Sequence, residues 1–276
     1  NLKIESVLSE GNNSQRFNHG PVSGAMKITT TRKATITGSS FVNNYGHGPW
    51  FDESSYDVTF VDNDSVNNDG YGMLFELSDT AKIANNVFAQ NDESGLNVQD
   101  AGNVEIWNNT FVDNNGSVII VQDERRASNL SISGHDKRRT LPDPTVPWIT
   151  KNVTLANNVF SQSTGDYVVQ VNDWSKEFKS SQMLTKSEGN LFHTASSSVP
   201  LVTWYPDAKT WTVYKTLAAY QSATGRDSSS TAVVGTSPLT AQFNLTSSYK
   251  WRASKALPIT TTIANSSSNL KKDAKV

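Results

Sequence analysis

Cysteine is missing altogether from the 276 residues, which excludes disulfides, zinc–thiolate centres and cysteine nucleophiles. Also missing is any run of roughly 18 consecutive apolar residues, so no segment reads as a membrane-spanning helix. Neither sign of charge dominates: 24 Lys and Arg face 26 Asp and Glu, a formal net charge of −2 with a pI near 6.1. That balance argues against nucleic acid as a partner and against docking on an anionic membrane surface. Hydrophobic residues make up 36% of the chain, few for a compact α/β enzyme and suited to a thin, elongated solenoid. An Asn/Ser/Thr-rich solenoid without cysteine is compatible with export. No Asp/Asn cluster has calcium-site spacing, and neither a metal nor another cofactor is expected.

What is present is a repeat. Gly24, Gly48, Gly72 and Gly95 are separated by 24, 24 and 23 residues. Between them recur Phe60-Val-Asp-Asn63, Ile83-Ala-Asn-Asn86, Ile106-Trp-Asn-Asn109 and Leu155-Ala-Asn-Asn158, three of them followed by Phe88, Phe111 and Phe160. Ile36-Thr-Gly-Ser39 with Phe41 is a degenerate copy. Leucine-rich-repeat grammar is absent, and short apolar alternations between Asn/Asp/Gly turns signal strands. The expected fold is all-β: a right-handed parallel β-helix of about 23–24 residues per coil, stacked at about 4.8 Å per rung. Stacking predicts a buried polar ladder of Ser39, Asn63, Asn86, Asn109 and Asn158 over a core column of Phe41, Phe88, Phe111 and Phe160.

The strand after each glycine is expected to alternate. Pro49/Phe51, Met73/Phe75, Leu96/Val98, Ile119/Val121 and Tyr167/Val169 should face in. Trp50/Asp52, Leu74/Glu76, Asn97/Gln99, Ile120/Gln122 and Val168/Gln170 should face out. The outward ladder Asp52, Glu76, Gln99, Gln122, Gln170 is the main functional signal. Asp52 and Glu76 lie one coil apart, close enough for repulsion to raise one pKa and leave the other group ionised. Rung spacing of about 4.8 Å is near the carboxyl separation of retaining glycosidases, about 5–5.5 Å. Trp50 on the same face could stack on a sugar, Gln99 and Gln122 could bond hydroxyls, and His47 is a further acid/base candidate. The bland alternative is a solvated acidic face with Trp50 packed under a loop. His19, His135 and His193 are isolated and read as structural.

Residues 1–203 are read as the β-helix, beginning mid-coil and so expected to continue upstream. An insertion at 123–150 carries Arg125, Arg126, Lys137, Arg138, Arg139 and a Pro-rich stretch, and should line the binding face. After Asn172 the repeat fades. Residues 204–276 are expected to form a cap with a helix between Thr216 and Gly225, then a loosely packed tail with one or two strands and a disordered stretch over 266–276.

Gly48-Pro-Trp-Phe-Asp52, Gly72-Met-Leu-Phe-Glu76-Leu-Ser78 and Ile83-Ala-Asn-Asn86 resemble a pattern in secreted bacterial parallel β-helix proteins of carbohydrate metabolism. The pattern is similar in particular to the β-helical β-xylosidases and covers roughly residues 24–172. The resemblance implies Asp52 as nucleophile and Glu76 as acid/base. The chain departs from those enzymes in lacking a clear second sandwich domain. Trp204-Tyr205 and the helix ending at Gly225 resemble the C-terminal cap of secreted actinobacterial β-helix proteins.

The resulting expectation is a secreted or cell-surface enzyme degrading a polysaccharide or oligosaccharide, a retaining glycoside hydrolase. One alternative is a polyuronate lyase or C5-epimerase using Arg125, Arg126, Lys137, Arg138 or Arg139 as cations; the other is a non-catalytic glycan-binding, adhesin or tail-fibre solenoid.

Overall fold

Alternating apolar positions and closely spaced Asn/Asp turns fold the chain into three parallel sheets wound one after another. The computed structural model describes residues 1–162, 164–248 and 256–266. The first sheet stacks Leu2–Glu5, Arg32–Thr37, Tyr56–Val61, Asp79–Ala84, Gly102–Trp107, Val153–Ala156 and Leu184–Glu188. The second stacks Leu8–Glu10, Ser40–Val42, Asp64–Val66, Val87–Ala89, Thr110–Val112, Val159–Gln162, Leu191–Thr194 and Thr231–Val234. The third stacks Gly24–Thr29, His47–Asp52, Met73–Glu76, Ser94–Gln99, Gly116–Gln122, Tyr167–Asp173 and Val202–Trp204, and ends on Thr212–Tyr214, which pairs antiparallel. This is a parallel β-helix.

The repeated residues are structural, each for its own reason. In each coil the residue before the ladder Asn has positive φ (Asp62 +59°, Asn85 +58°, Asn108 +56°, Asn157 +59°), a backbone state that Asn and Asp tolerate best after glycine. The next Asn turns inward: Asn63, Asn86, Asn109 and Asn158 each accept a backbone N–H from the rung below and donate to a carbonyl of that same rung. The ladder runs on through Asn190 to Asp227. A second buried ladder, Asn44, Asn68, Asn91 and Asn114, lies five residues further along each coil. Glycine recurs because coils touch there: a Cβ on Gly48 would lie 2.0 Å from the Gly72 carbonyl oxygen.

The Phe column is continuous in space but not in register. Ser65 occupies the Phe position of its rung, and Phe60 from the neighbouring sheet fills the gap, its ring 6.0 Å from Phe41 and 6.2 Å from Phe88. Phe88, Phe111, Phe160 and Phe192 then stack at 5.1–5.3 Å.

Three expectations need correction. The repeat does not fade after Asn172: Asn190 and Phe192 extend both columns, and Thr231–Val234 adds a strand beyond them. The inside/outside assignment of Gly116–Gln122 was off by one, because Ser117, not Gly116, stands across from Gly95. Val118 and Ile120 therefore face the core, and Ile119 and Val121 face out. Val168, expected outside, also lies in the core. The cap helix is as expected: Leu217–Thr224, with Thr216 Oγ1 accepting the Ala219 N–H and Gly225 at φ +68°. The tail is better packed than expected. Ile259 and Ile263 cover Val61, Ala84, Trp107 and Ala156 on the outer face of the first sheet, and Asn157 clamps the Leu257 peptide through both its groups. Of the stretch expected to be disordered, 267–276 lies outside the described residues.

Candidate functional site

Two outward columns of the third sheet build the site. One runs Lys27, Trp50, Leu74, Asn97, Ile119, Gln170. The other starts Thr29, Asp52; the Phe51–Phe75 pairing carries it to Glu76, then Gln99, Val121 and Asn172. Above Asp52 and Glu76 opens a cleft of about 410 Å³, lined also by Gly20 and Pro21 and by Ile132 and Ser133 of the insertion.

The two carboxylates have unlike surroundings. Asp52 Oδ2 is 2.8 Å from Lys27 Nζ, and Oδ1 accepts the Glu53 N–H at 2.7 Å. Glu76 Oε2 accepts the Trp50 indole N–H at 3.1 Å, and Oε1 accepts from Arg125 at 2.6 Å. Burial, and then the Asp52 charge across the rung, push the Glu76 pKa up, while Arg125 and Lys27 oppose them. Arg125 is itself shared: it lies 2.8 Å from Asp100 and 2.8 Å from Asp123. Burial pushes Asp100 up to about 8, and its Oδ1 accepts the Asp123 backbone N–H and the Gln122 amide, both at 2.7 Å.

His47 and Tyr71 line the same cleft. Burial, then His19 and Lys27, lower the His47 pKa to about 4. Its Nδ1 accepts the Tyr71 backbone N–H at 3.1 Å. The neutral ring therefore carries its proton on Nε2, which faces His19 Nδ1 at 3.3 Å.

The structure thus brings together Asp52, Glu76, Trp50, His47, Gln99 and Arg125. Trp50 offers no free face for a sugar: it is 6% exposed, Lys27 sits 3.4 Å from its ring centroid, and His47 stands edge-on. Arg125 is a counter-ion to the acids. Arg126 lies away from the cleft and bonds Ser175 and Glu177. Gln122 is corrected from the outward ladder: it is fully buried, donating to Asp100 and the Trp148 carbonyl and accepting from Thr150. Gln170 is outward but in the Trp50 column. Lys27 and Tyr71 were missed. Lys27 stands three residues after Gly24, as Trp50 stands three after His47, its register partner one rung on; that matched offset was the available signal.

Metal donors do not converge. Among the described residues no group of three or more His, Cys, Asp or Glu could hold a metal ion. Met73 and Met183 are in the core and Met26 packs on it. His193 has both nitrogens bonded, to Ser161 and the Gly235 carbonyl, and His135 stacks on Trp148 at 4.4 Å.

Fold and cleft define a parallel β-helix with a polar site on the outer face of one sheet. The chain belongs to the NosD family, whose description reads periplasmic copper-binding protein and whose sequence signature matches residues 4–197. No curated protein matches the chain. Solved structures of two variants of the periplasmic alginate epimerase AlgG resemble it at 14% identity, with TM-scores of 0.39 and 0.38. The match covers 64% of this chain and 45% of the epimerase chain.

Proposed function

We propose that this protein is an exported carbohydrate-active β-helix that hydrolyses a glycosidic bond with retention. The observation that carries the reading is the pair Asp52 and Glu76: neighbouring rungs, one cleft, and different partners. Glu76, its proton affinity raised by burial and by Asp52, suits the acid that protonates the leaving oxygen and then takes a proton from water. Asp52, bound by Lys27, suits the nucleophile that attacks the anomeric carbon. Gln99, on the next rung of the same column, is placed to bond a sugar hydroxyl.

A second reading, a uronate lyase or C5-epimerase, draws on Lys27, Arg125, neutral His47 and Tyr71 in the same cleft. It is weaker because both cations are tied to acids and both His47 nitrogens are occupied. Copper, named in the family description, does not fit these residues. The imidazoles His19 and His47 are the one close histidine pair among the described residues, and His47 presents an N–H, not a lone pair, toward its neighbour.

The deciding experiment compares Asp52→Ala and Glu76→Ala on aryl glycosides. Asp52→Ala should lose turnover on every substrate, whereas Glu76→Ala should keep activity on good leaving groups and be rescued by azide. An unsaturated product would select the lyase instead. Binding without any product would select a passive glycan-binding solenoid.

A further inference from the structure

Beside the cleft, the insertion builds a second pocket that the chemistry above does not use. It measures about 390 Å³ and is lined by Arg138, Arg139, Thr140, Asp143, Pro144 and Thr145. Two buried carboxylates organise it. Asp136 takes the Arg138 guanidinium at 2.7 Å, and Asp143 takes Arg32 and, at 3.6 Å, Arg139. Three cations, Arg32, Arg138 and Arg139, meet two carboxylates here, and Lys137, between Asp136 and Arg138 in the chain, makes no ion pair among the described residues, although the whole chain is slightly acidic. Lys137, Arg138 and Arg139 are exposed. Asp136 and the Thr30 carbonyl fix the Arg138 guanidinium, and Asp143 lies beside that of Arg139.

The pocket and the cleft share no lining residue, but the insertion contributes to both. Ile132 and Ser133, just ahead of it, form the cleft wall. Arg138 bonds the Thr30 carbonyl, and the Thr30 N–H is bonded to the backbone of Asp52 and Glu53. A polymer leaving the Asp52–Glu76 cleft past Ser133 would meet this pocket next.

We propose that the pocket is an anion subsite and that the substrate is an acidic glycan, neutral in character at the bond that is cut and bearing carboxylates or sulfates on a flanking sugar. The proposal rests on the hydrolase reading for its direction along the cleft, but the subsite is defined by its own residues. It resolves an apparent conflict: acids at the cleft floor would repel a polyanion, whereas cations at the lip attract one to a register that keeps its charge off Asp52 and Glu76.

The test measures binding of the full chain to polygalacturonate, dextran sulfate and neutral xylan over a range of salt, for wild type and for the exposed double variant Lys137→Gln/Arg139→Gln. Wild type should bind at least one anionic polymer about tenfold or more tightly than xylan, with affinity falling as salt rises. The double variant should lose most of that preference while melting at the wild-type temperature. Preference for polygalacturonate identifies carboxylates as the ligand, and preference for dextran sulfate identifies sulfates. Equal binding of xylan and both polyanions overturns the subsite, as does a preference that the folded double variant keeps. Binding that follows the proposal with no product formed leaves the subsite standing and overturns the hydrolase reading alone.

Discussion

The Trp50 indole N–H reaches across one rung to Glu76 Oε2, 3.1 Å away. The tryptophan is thus a donor that the acid requires, wedged under Lys27. Trp50→Phe keeps the ring and removes the bond. A hydrogen bond to a charged group is worth about 1.5–3 kcal/mol, and that loss should appear as reduced stability at neutral pH. Because the bond favours the ionised form, the Glu76 pKa should rise further. Carbon-13 NMR of the Glu76 carboxyl would follow this directly; an unmoved titration would show that the indole does not hold the acid.

The asparagine ladders should fail as buried hydrogen-bond chains. Asn86→Leu or Asn109→Leu strands a backbone N–H and a backbone carbonyl of the coil below. Each unsatisfied group costs about 1–3 kcal/mol. Melting temperature should fall clearly in both variants, while glycan affinity of the folded fraction is retained. An unchanged melting point would contradict the inward placement.

Two buried groups give stability opposite dependences on pH. Asp100 is raised from 3.8 to about 8, so between these values the folded state holds a proton that the unfolded state has lost. Its contribution is complete below about pH 4 and disappears as pH rises through about 8. His47, lowered from 6.5 to about 4, contributes above pH 6.5 and loses that contribution as pH falls through 4. Urea unfolding at pH 5, 6, 7 and 8 should show Asp100→Asn removing most of the decline in stability across that range. A variant that declines as steeply as wild type between pH 5 and 8 would remove Asp100 as the cause.

The segment at 256–266 should behave as a strap. Ile263 is fully buried against Val61, Ala84, Trp107 and Ala156. Ile263→Asp puts a charge into that contact, which should release the segment and wet Trp107. A red shift in tryptophan emission, with protease cleavage gained near residue 260 but the solenoid intact, is the expected result. Emission and cleavage identical to wild type would show that the segment is held by other contacts.

The coil architecture was legible because stacking forces equivalent residues into columns, and columns leave a period in the sequence. Asn63, Asn86 and Asn109 could be read that way, and Asp52 and Glu76 could be placed on one face. Errors came where a column changes residue type. Ser117 replaces glycine in the Gly95 column, and with no glycine to mark the register the expected alternation turns Ile119, Val121 and Gln122 the wrong way. Phe60 substitutes for a missing phenylalanine from another sheet, which period alone does not reveal. The partners of the acids were harder still. Arg125 reaches Glu76 across 49 positions, and only the folded insertion decides whether it meets substrate or carboxylate. The strap did leave a trace: Ala84, Trp107 and Ala156 are apolar at positions where an uncovered sheet would carry polar groups.

The columns also bear on how such a site can change over time. Each coil touches only its neighbours, and the ladder residues that join one coil to the next are nearly the same at every joint. A coil is therefore close to an interchangeable cassette: its buried residues satisfy any neighbour, and its outward residues are free to differ. Asp52 and Glu76 ride on two consecutive cassettes, so exchanging one, or duplicating one between them, would re-space the acids by whole rungs without disturbing the core. What resists such shuffling is the insertion, since Arg125, Asp123 and Ser133 must arrive at the rungs they serve. Diversification of this scaffold would then proceed in discrete steps along its axis, with the loop setting which steps keep a working site.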